Sequence, residues 1–116
     1  MLVVMGTIFF LSHQPGDSFE LPGIFNFDKL LHGVAYGVLA ATVLFAAPME
    51  LRKRSLFFTA ALAMAVCLLY GISDEFHQSF IPGRYPSIWD IIADLLGATV
   101  VVWLWHRRLM VAQGDV

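Results

Sequence analysis

An all-α integral membrane bundle of four transmembrane helices, with both termini on the cytoplasmic side, is the fold class the sequence predicts. Three observations carry it. Three apolar runs are each about as long as a bilayer is thick. Charged residues make up only 14% of the 116 residues, where a soluble domain carries about 25%. Those charges gather between the runs and sort by sign. Hydrophobic residues reach 59% and the mean hydropathy is +0.74. The length suits one domain, residues 1–116. A net charge of -2 gives no basic field for nucleic acid. Cys67 is the single cysteine and lies inside an apolar run, which excludes an intrachain disulfide or a cysteine-based metal site. It reads as a small buried hydrophobe.

The first segment, "MLVVMGTIFFLS" at residues 1–12, is short for a crossing. Twelve residues rise about 18 Å, against the ~20 residues a spanning helix needs. It lacks the basic start and the small-x-small cleavage site of a signal peptide. It is expected to be a first transmembrane helix that is short or lacks its natural start, ended by Pro15 and Gly16. The other three runs, at 30–47, 55–73 and 88–105, each rise roughly 27 Å, close to the ~30 Å hydrocarbon core. None alternates with period two, which excludes strands. Ser87 is the expected N-cap of the last one.

Orientation follows from charge. The connection "PMELRKR" at 48–54 and the tail opening with His106, Arg107 and Arg108 are basic and belong in the cytoplasm. The other two connections carry Asp17, Glu20 and Asp28, and Asp74 and Glu75, and face outward. Trp103 and Trp105 suit an interfacial belt at the inner end.

Nearly all the unusual residues fall at the outward ends. Asp28, His32 and Tyr36 follow an i, i+4, i+8 spacing and share one face of the second helix. Asp90 and Asp94 repeat that spacing on the last helix, and Gly97 continues the face. Asp74, Glu75 and Gln78 close the third helix, and Arg84 follows in the loop. An ionisable group facing lipid would cost several kcal/mol, so such residues mark a functional site.

The stretches "FDKLLHGVAYGVLA" and "YGISDEFHQSFIPGRYPSIWDIIADLLGA" resemble the VanZ-like family. Its pattern runs D-K-x-x-H with a downstream Tyr, then D-E-x-x-Q-x-F, a P-G-R turn and a helix opening with D-x-x-x-N. The resemblance covers roughly residues 8 to 100, and "LSHQPG" matches the family's first-helix exit. Asp94 departs from it, standing where the family often has Asn. The family is named for a protein associated with low-level resistance to teicoplanin, so the resemblance implies a multi-pass protein of the bacterial cell envelope, in the cytoplasmic membrane.

The candidate ligand-binding residues are Asp28, Lys29, His32, Tyr36, Asp74, Glu75, Gln78, Arg84, Asp90 and Asp94, with Asp74, Asp94 and His32 as candidate catalytic groups. Each has an ordinary reading too. Asp28 and Lys29 suit a helix start, with Asp28 as its cap. His32 suits a hydrogen-bonded structural histidine, and Tyr36 a packing residue whose hydroxyl reaches the polar cluster. Side chains at 74 and 75 diverge by about 100°, so Glu75 is free to face water. Arg84 suits either a clamp on Asp74 or Asp90, or an anchor for a ligand phosphate or carboxylate. His13 and His77 suit outer-loop surface residues. No compact metal motif is present, and neither a metal nor another cofactor is expected. No serine sits in a nucleophile elbow.

Three functions follow as alternatives. The chain is expected to bind a lipid-linked or peptidyl envelope component at an outward polar pocket, altering glycopeptide access. Alternatively it is a membrane enzyme in which Asp74 or Asp94 acts as general base, with His32 and Arg84 orienting substrate. A proton or cation pathway is disfavoured, because the inner halves of the spans lack polar residues. The sequence does not specify an oligomeric state.

Overall fold

A computed structural model describes residues 1–15 and 27–114, apart from the side chain of residue 113. Five helices follow in order: α1 (Leu2–Ser12), α2 (Phe27–Ala46), α3 (Met49–Arg54), α4 (Leu56–Gln78) and α5 (Ile88–Gly114). Three of them are long and apolar enough to cross a membrane: Phe27–Ala46, Leu56–Gln78 and Ile88–Ala112. With the shorter α1 they form an all-α, four-helix membrane bundle. Gly16, Asp17 and Glu20 lie outside the described residues.

The distribution of side chains is that of a protein dissolved in lipid. Leu69 and Phe45 are 67% and 74% exposed, whereas Asp94 and Gln78 are 1% and 2% exposed. Hydrocarbon replaces water around the bundle, so apolar side chains face outward and polar groups must find partners within. In the first turn of α4 the buried Thr59 hydroxyl is satisfied locally, donating to the carbonyl of the N-cap Ser55 at 3.0 Å.

α2 and α5 run parallel and approach backbone to backbone. Gly33 and Gly37, four residues apart, face Ala93 and Gly97. A Cβ placed on Gly97 would overlap the Gly33 carbonyl, and one on Gly37 would stand 3.3 Å from the Gly97 carbonyl oxygen. Such small-residue stripes let dispersion forces join helices that gain nothing hydrophobic from meeting in lipid. The same register sets Lys29 beside Asp90 and His32 beside Asp94. α1 runs parallel to α4, where the Tyr70 hydroxyl donates to the Met5 carbonyl at 2.6 Å. Below the polar end the core is apolar, built on Leu39, Val43 and Leu44 of α2 with Ala63 and Cys67 of α4.

The sequence boundaries need three corrections. The basic connection is largely helical, as α3, because Met49–Arg54 contains no Gly or Pro. α4 continues five residues past the end of the apolar run at 73, so Asp74, Glu75 and Gln78 close it as expected, while His77, expected in the outer loop, is helical. α5 extends through His106, Arg107 and Arg108, and Arg107 lies over the Trp103 ring at 5.0 Å. Polarity ends a span's burial in lipid, but it does not end a helix. The Ser87 cap stands as expected, and a second, at Ser55, was not anticipated. The Ser87 hydroxyl accepts from Trp89 N–H at 3.2 Å, and Ser55 does the same for Phe58.

Candidate functional site

Among the described residues, the buried charged side chains, Asp74, Glu75, Asp90 and Asp94, lie at one end of the bundle. Its position starts from local structure. The α4 helix unwinds through Ser79 and Phe80 into a type II turn at Ile81–Arg84, where Arg84 N–H donates to the Ile81 carbonyl at 3.1 Å. Pro82 sets the first central position, and Gly83 takes φ 75° at the second, a conformation other residues rarely adopt. This turn points Arg84 back across the bundle and brings Ser87 to the end of α4.

The polar groups form two connected layers. Between α2 and α5, Lys29 Nζ bridges Asp28 Oδ2 at 3.0 Å and Asp90 Oδ1 at 2.6 Å. One turn deeper, His32 Nδ1 stands 2.9 Å from Asp94 Oδ1. With Asp94 ionised the carboxylate can only accept, so Nδ1 carries a proton, and in the neutral imidazole Nε2 is then the lone pair. The second layer comes from the last turns of α4. Gln78 Nε2 donates to Asp74 Oδ2 at 3.3 Å and to the Ser12 hydroxyl at 3.4 Å. Glu75 turns the other way, and its Oε2 accepts from Ser87 N–H at 2.7 Å. That is a capping interaction supplied from another helix, since the first N–H groups of α5 lack partners within it.

Most expected residues do converge, but several with different partners. His32 and Asp94 face one another as the spacing implied. Asp28 sits at the rim, its side chain 49% exposed, and touches the cluster through Lys29. Tyr36 is buried, with its hydroxyl reaching no hydrogen-bond partner among the described residues. Glu75 does not face water: it is 5% exposed, because the start of α5 packs over it and needs an acceptor there. Nor does Arg84 clamp Asp74 or Asp90 among the described residues. Its Nε and Nη2 donate to the carbonyls of Gln14 and Leu11, at 3.1 and 3.3 Å. Those carbonyls end α1, where a cation is favoured by the helix dipole. His13 and His77, expected as separate surface residues, form a stacked pair 3.2 Å apart, with Phe9 against it. Ser12 was missed. Only the packing of α1 along α4 brings it to Gln78.

A cavity of about 510 Å³ opens between α1 and α2 beneath this cluster. Its walls are apolar: Val4, Ile8 and Leu11 on one side, Leu31, Val34 and Val38 on the other. Asp28, His32, Asp74, Gln78 and Arg84 also line it. Val34 and Val38 are 58% and 49% exposed, so the cavity is open sideways toward lipid. Donor atoms of His32, Glu75 and Asp90 also approach within 4.8 Å of one another, the one such grouping among the described residues. The arrangement therefore offers an oriented imidazole, several carboxylates and an amphipathic groove.

No curated protein and no solved structure matches the chain. The family model described as VanZ/LLP1 matches residues 1–111, nearly the whole sequence. With its D-K-x-x-H, D-E-x-x-Q and P-G-R residues all at the polar end, the chain belongs to the VanZ/LLP1 family.

Proposed function

We propose that the polar end faces the outside of the bacterial cytoplasmic membrane and that the groove between α1 and α2 holds a lipid-linked or peptidyl component of the cell envelope. Altered glycopeptide susceptibility, teicoplanin included, would follow from that binding. The observation that carries the reading is the composition of one cavity. Apolar walls lead sideways into the bilayer, and buried polar groups stand where a head group would lie. A lipid-anchored ligand has the same division along its length. Orientation rests on charge: α3 ends in Arg52, Lys53 and Arg54, and α5 carries Arg107 and Arg108 at the end remote from the acids. Within the groove, Arg84, and His32 in its doubly protonated form, provide donors for a phosphate or carboxylate, and Asp28, Asp74 and Gln78 provide acceptors for amides or hydroxyls, with Lys29 held on Asp28 and Asp94 on His32 beside it.

One observation favours a second reading, catalysis. An imidazole held by a buried carboxylate, as His32 is by Asp94, is oriented for proton transfer. A proton or cation pathway lacks support, because among the described residues Thr59 is the one buried polar side chain below the cluster, and its hydroxyl donates to the Ser55 carbonyl. Mass spectrometry of lipids co-purified in mild detergent separates the two supported readings. Binding predicts an envelope lipid recovered unaltered. Catalysis predicts its conversion by wild-type protein and not by His32→Ala. Recovery of bulk phospholipid alone, in the proportions of the membrane, would refute both.

A further inference from the structure

We propose that His32, Glu75 and Asp90 hold a divalent transition-metal ion, with Asp94 positioning the histidine. The three donors come from α2, α4 and α5, and no pair is close in sequence, so no motif announces them. Their ligand atoms already lie within 4.8 Å of one another. Two donors at about 2.1 Å from one ion stand at most about 4.2 Å apart. Small side-chain rotations close that difference.

Four further features fit a cation. The Asp94 carboxylate on His32 Nδ1 fixes the tautomer that presents Nε2, the carboxylate–histidine arrangement that supports metal-bound imidazoles. Glu75 is only 5% exposed, yet only Oε2 is bonded, to Ser87 N–H, and Oε1 has no partner among the described residues. A buried carboxylate oxygen without a donor is costly, and a cation supplies what is missing. Charge points the same way. Asp74, Glu75, Asp90 and Asp94 are all buried at this end, where Lys29 pairs with Asp90, His32 pairs with Asp94, and Arg84 donates to the Leu11 and Gln14 carbonyls. Finally, Lys29 has an alternative partner. It already touches Asp28 at 3.0 Å, so it can yield Asp90 to an ion without losing its own counter-charge.

The donor set selects the ion. An imidazole with two carboxylates suits Zn²⁺ or Mn²⁺ better than Mg²⁺ or Ca²⁺, which take oxygen ligands. Three protein donors leave coordination positions for water or a ligand oxygen. The site is independent of whether the groove holds a lipid.

The test uses full-length protein in detergent, with a histidine-free tag and His13→Ala and His77→Ala, which remove the nearby imidazole pair. After chelator treatment, Mn²⁺ and Zn²⁺ are titrated separately and bound metal is measured. One equivalent is expected, with a rise in melting temperature as metal exceeds its Kd. Pulsed electron paramagnetic resonance of bound Mn²⁺ should show coupling to one imidazole nitrogen. His32→Ala and Glu75→Gln should each weaken binding by more than ~100-fold, and Asp94→Asn by about 10–100-fold. Absence of stoichiometric binding would overturn the proposal, as would bound Mn²⁺ with no nitrogen coupling, or affinity unchanged in folded Glu75→Gln. The nitrogen coupling is read with all three proposed ligands intact, so a ligand variant that misfolds does not rescue or sink the idea. Metal binding without any retained envelope lipid leaves this site standing and removes the lipid reading. Lipid retained by chelated protein that binds no metal does the reverse.

Discussion

Gly97→Ala adds one methyl group at the closest approach of the bundle. The built Cβ overlaps the carbonyl of Gly33 and also crowds its Cα, so the obstacle is backbone and cannot rotate away. Carbon needs roughly 3.5 Å from a non-bonded heavy atom. α2 and α5 must therefore part by more than about an ångström. Ordinary overpacking costs about 1–3 kcal/mol, and a backbone clash between two rigid helices belongs at or above the top of that range. The separation also pulls His32 Nδ1 from Asp94 Oδ1, now 2.9 Å apart, beyond hydrogen-bonding range. The assay is thermal unfolding in detergent, followed by the loss of monodisperse protein after heating. Gly97→Ala should melt on the order of 10 °C lower. Gly37→Ala, whose Cβ meets its neighbours at 3.3 Å, should lose less, and Gly6→Ala, with nothing within 4 Å, should lose nothing. If Gly97→Ala melts with the wild type, backbone contact does not set the α2–α5 register and the site geometry built on it fails.

Four further outcomes follow from the same geometry. Arg84→Lys cannot donate to the Leu11 and Gln14 carbonyls with the same fork, so it should lose about 2 kcal/mol of stability together with activity; full stability with lost activity in thermal melts and glycopeptide susceptibility would point instead to a ligand anchor. Glu75→Ala removes the acceptor for Ser87 N–H and should cost about 1–3 kcal/mol in the same melts, more than Glu75→Gln, which keeps an acceptor. Asp94→Asn keeps an oxygen for His32 Nδ1–H and removes a buried ionisable group, so stability should hold or rise; lost activity with intact folding would favour the catalytic reading. For orientation, in a Cys67→Ala background an impermeant thiol reagent should label a cysteine at Gly83 and not one at Arg54 in intact cells, and the opposite pattern would invert the topology.

The parts of this structure legible in the sequence were those governed by one helix at a time. Run length against bilayer thickness located the three spans, and an i, i+4 spacing placed His32 and Asp94 on the buried faces where they meet. The Ser87 cap was legible because the cap and the helix it serves are adjacent. Pairing between helices was less so. Lys29 bonds Asp90 because a glycine contact one turn deeper sets the register, and the spacing of Gly33 and Gly37 was the signal available for it. Glu75 looked free to face water because its partner is a backbone N–H, which every residue but proline owns and no pattern reveals. Arg84 likewise serves main-chain carbonyls of α1, where the sequence offered Asp74 and Asp90 as more conspicuous partners. Helix ends were misplaced where charge follows an apolar run, since composition reports the edge of the membrane and hydrogen bonding determines the edge of the helix.

The groove between α1 and α2 is proposed to hold the lipid part of an envelope ligand. The most direct measurement is native mass spectrometry of lipid bound to wild-type protein and to Val34→Trp. Val34 lines the cavity yet is 58% exposed, so an indole there fills the groove without entering the core or touching the polar cluster. A defined envelope lipid is expected on the wild type and none on Val34→Trp, at unchanged melting temperature. The same lipid bound equally to both proteins would contradict the proposal.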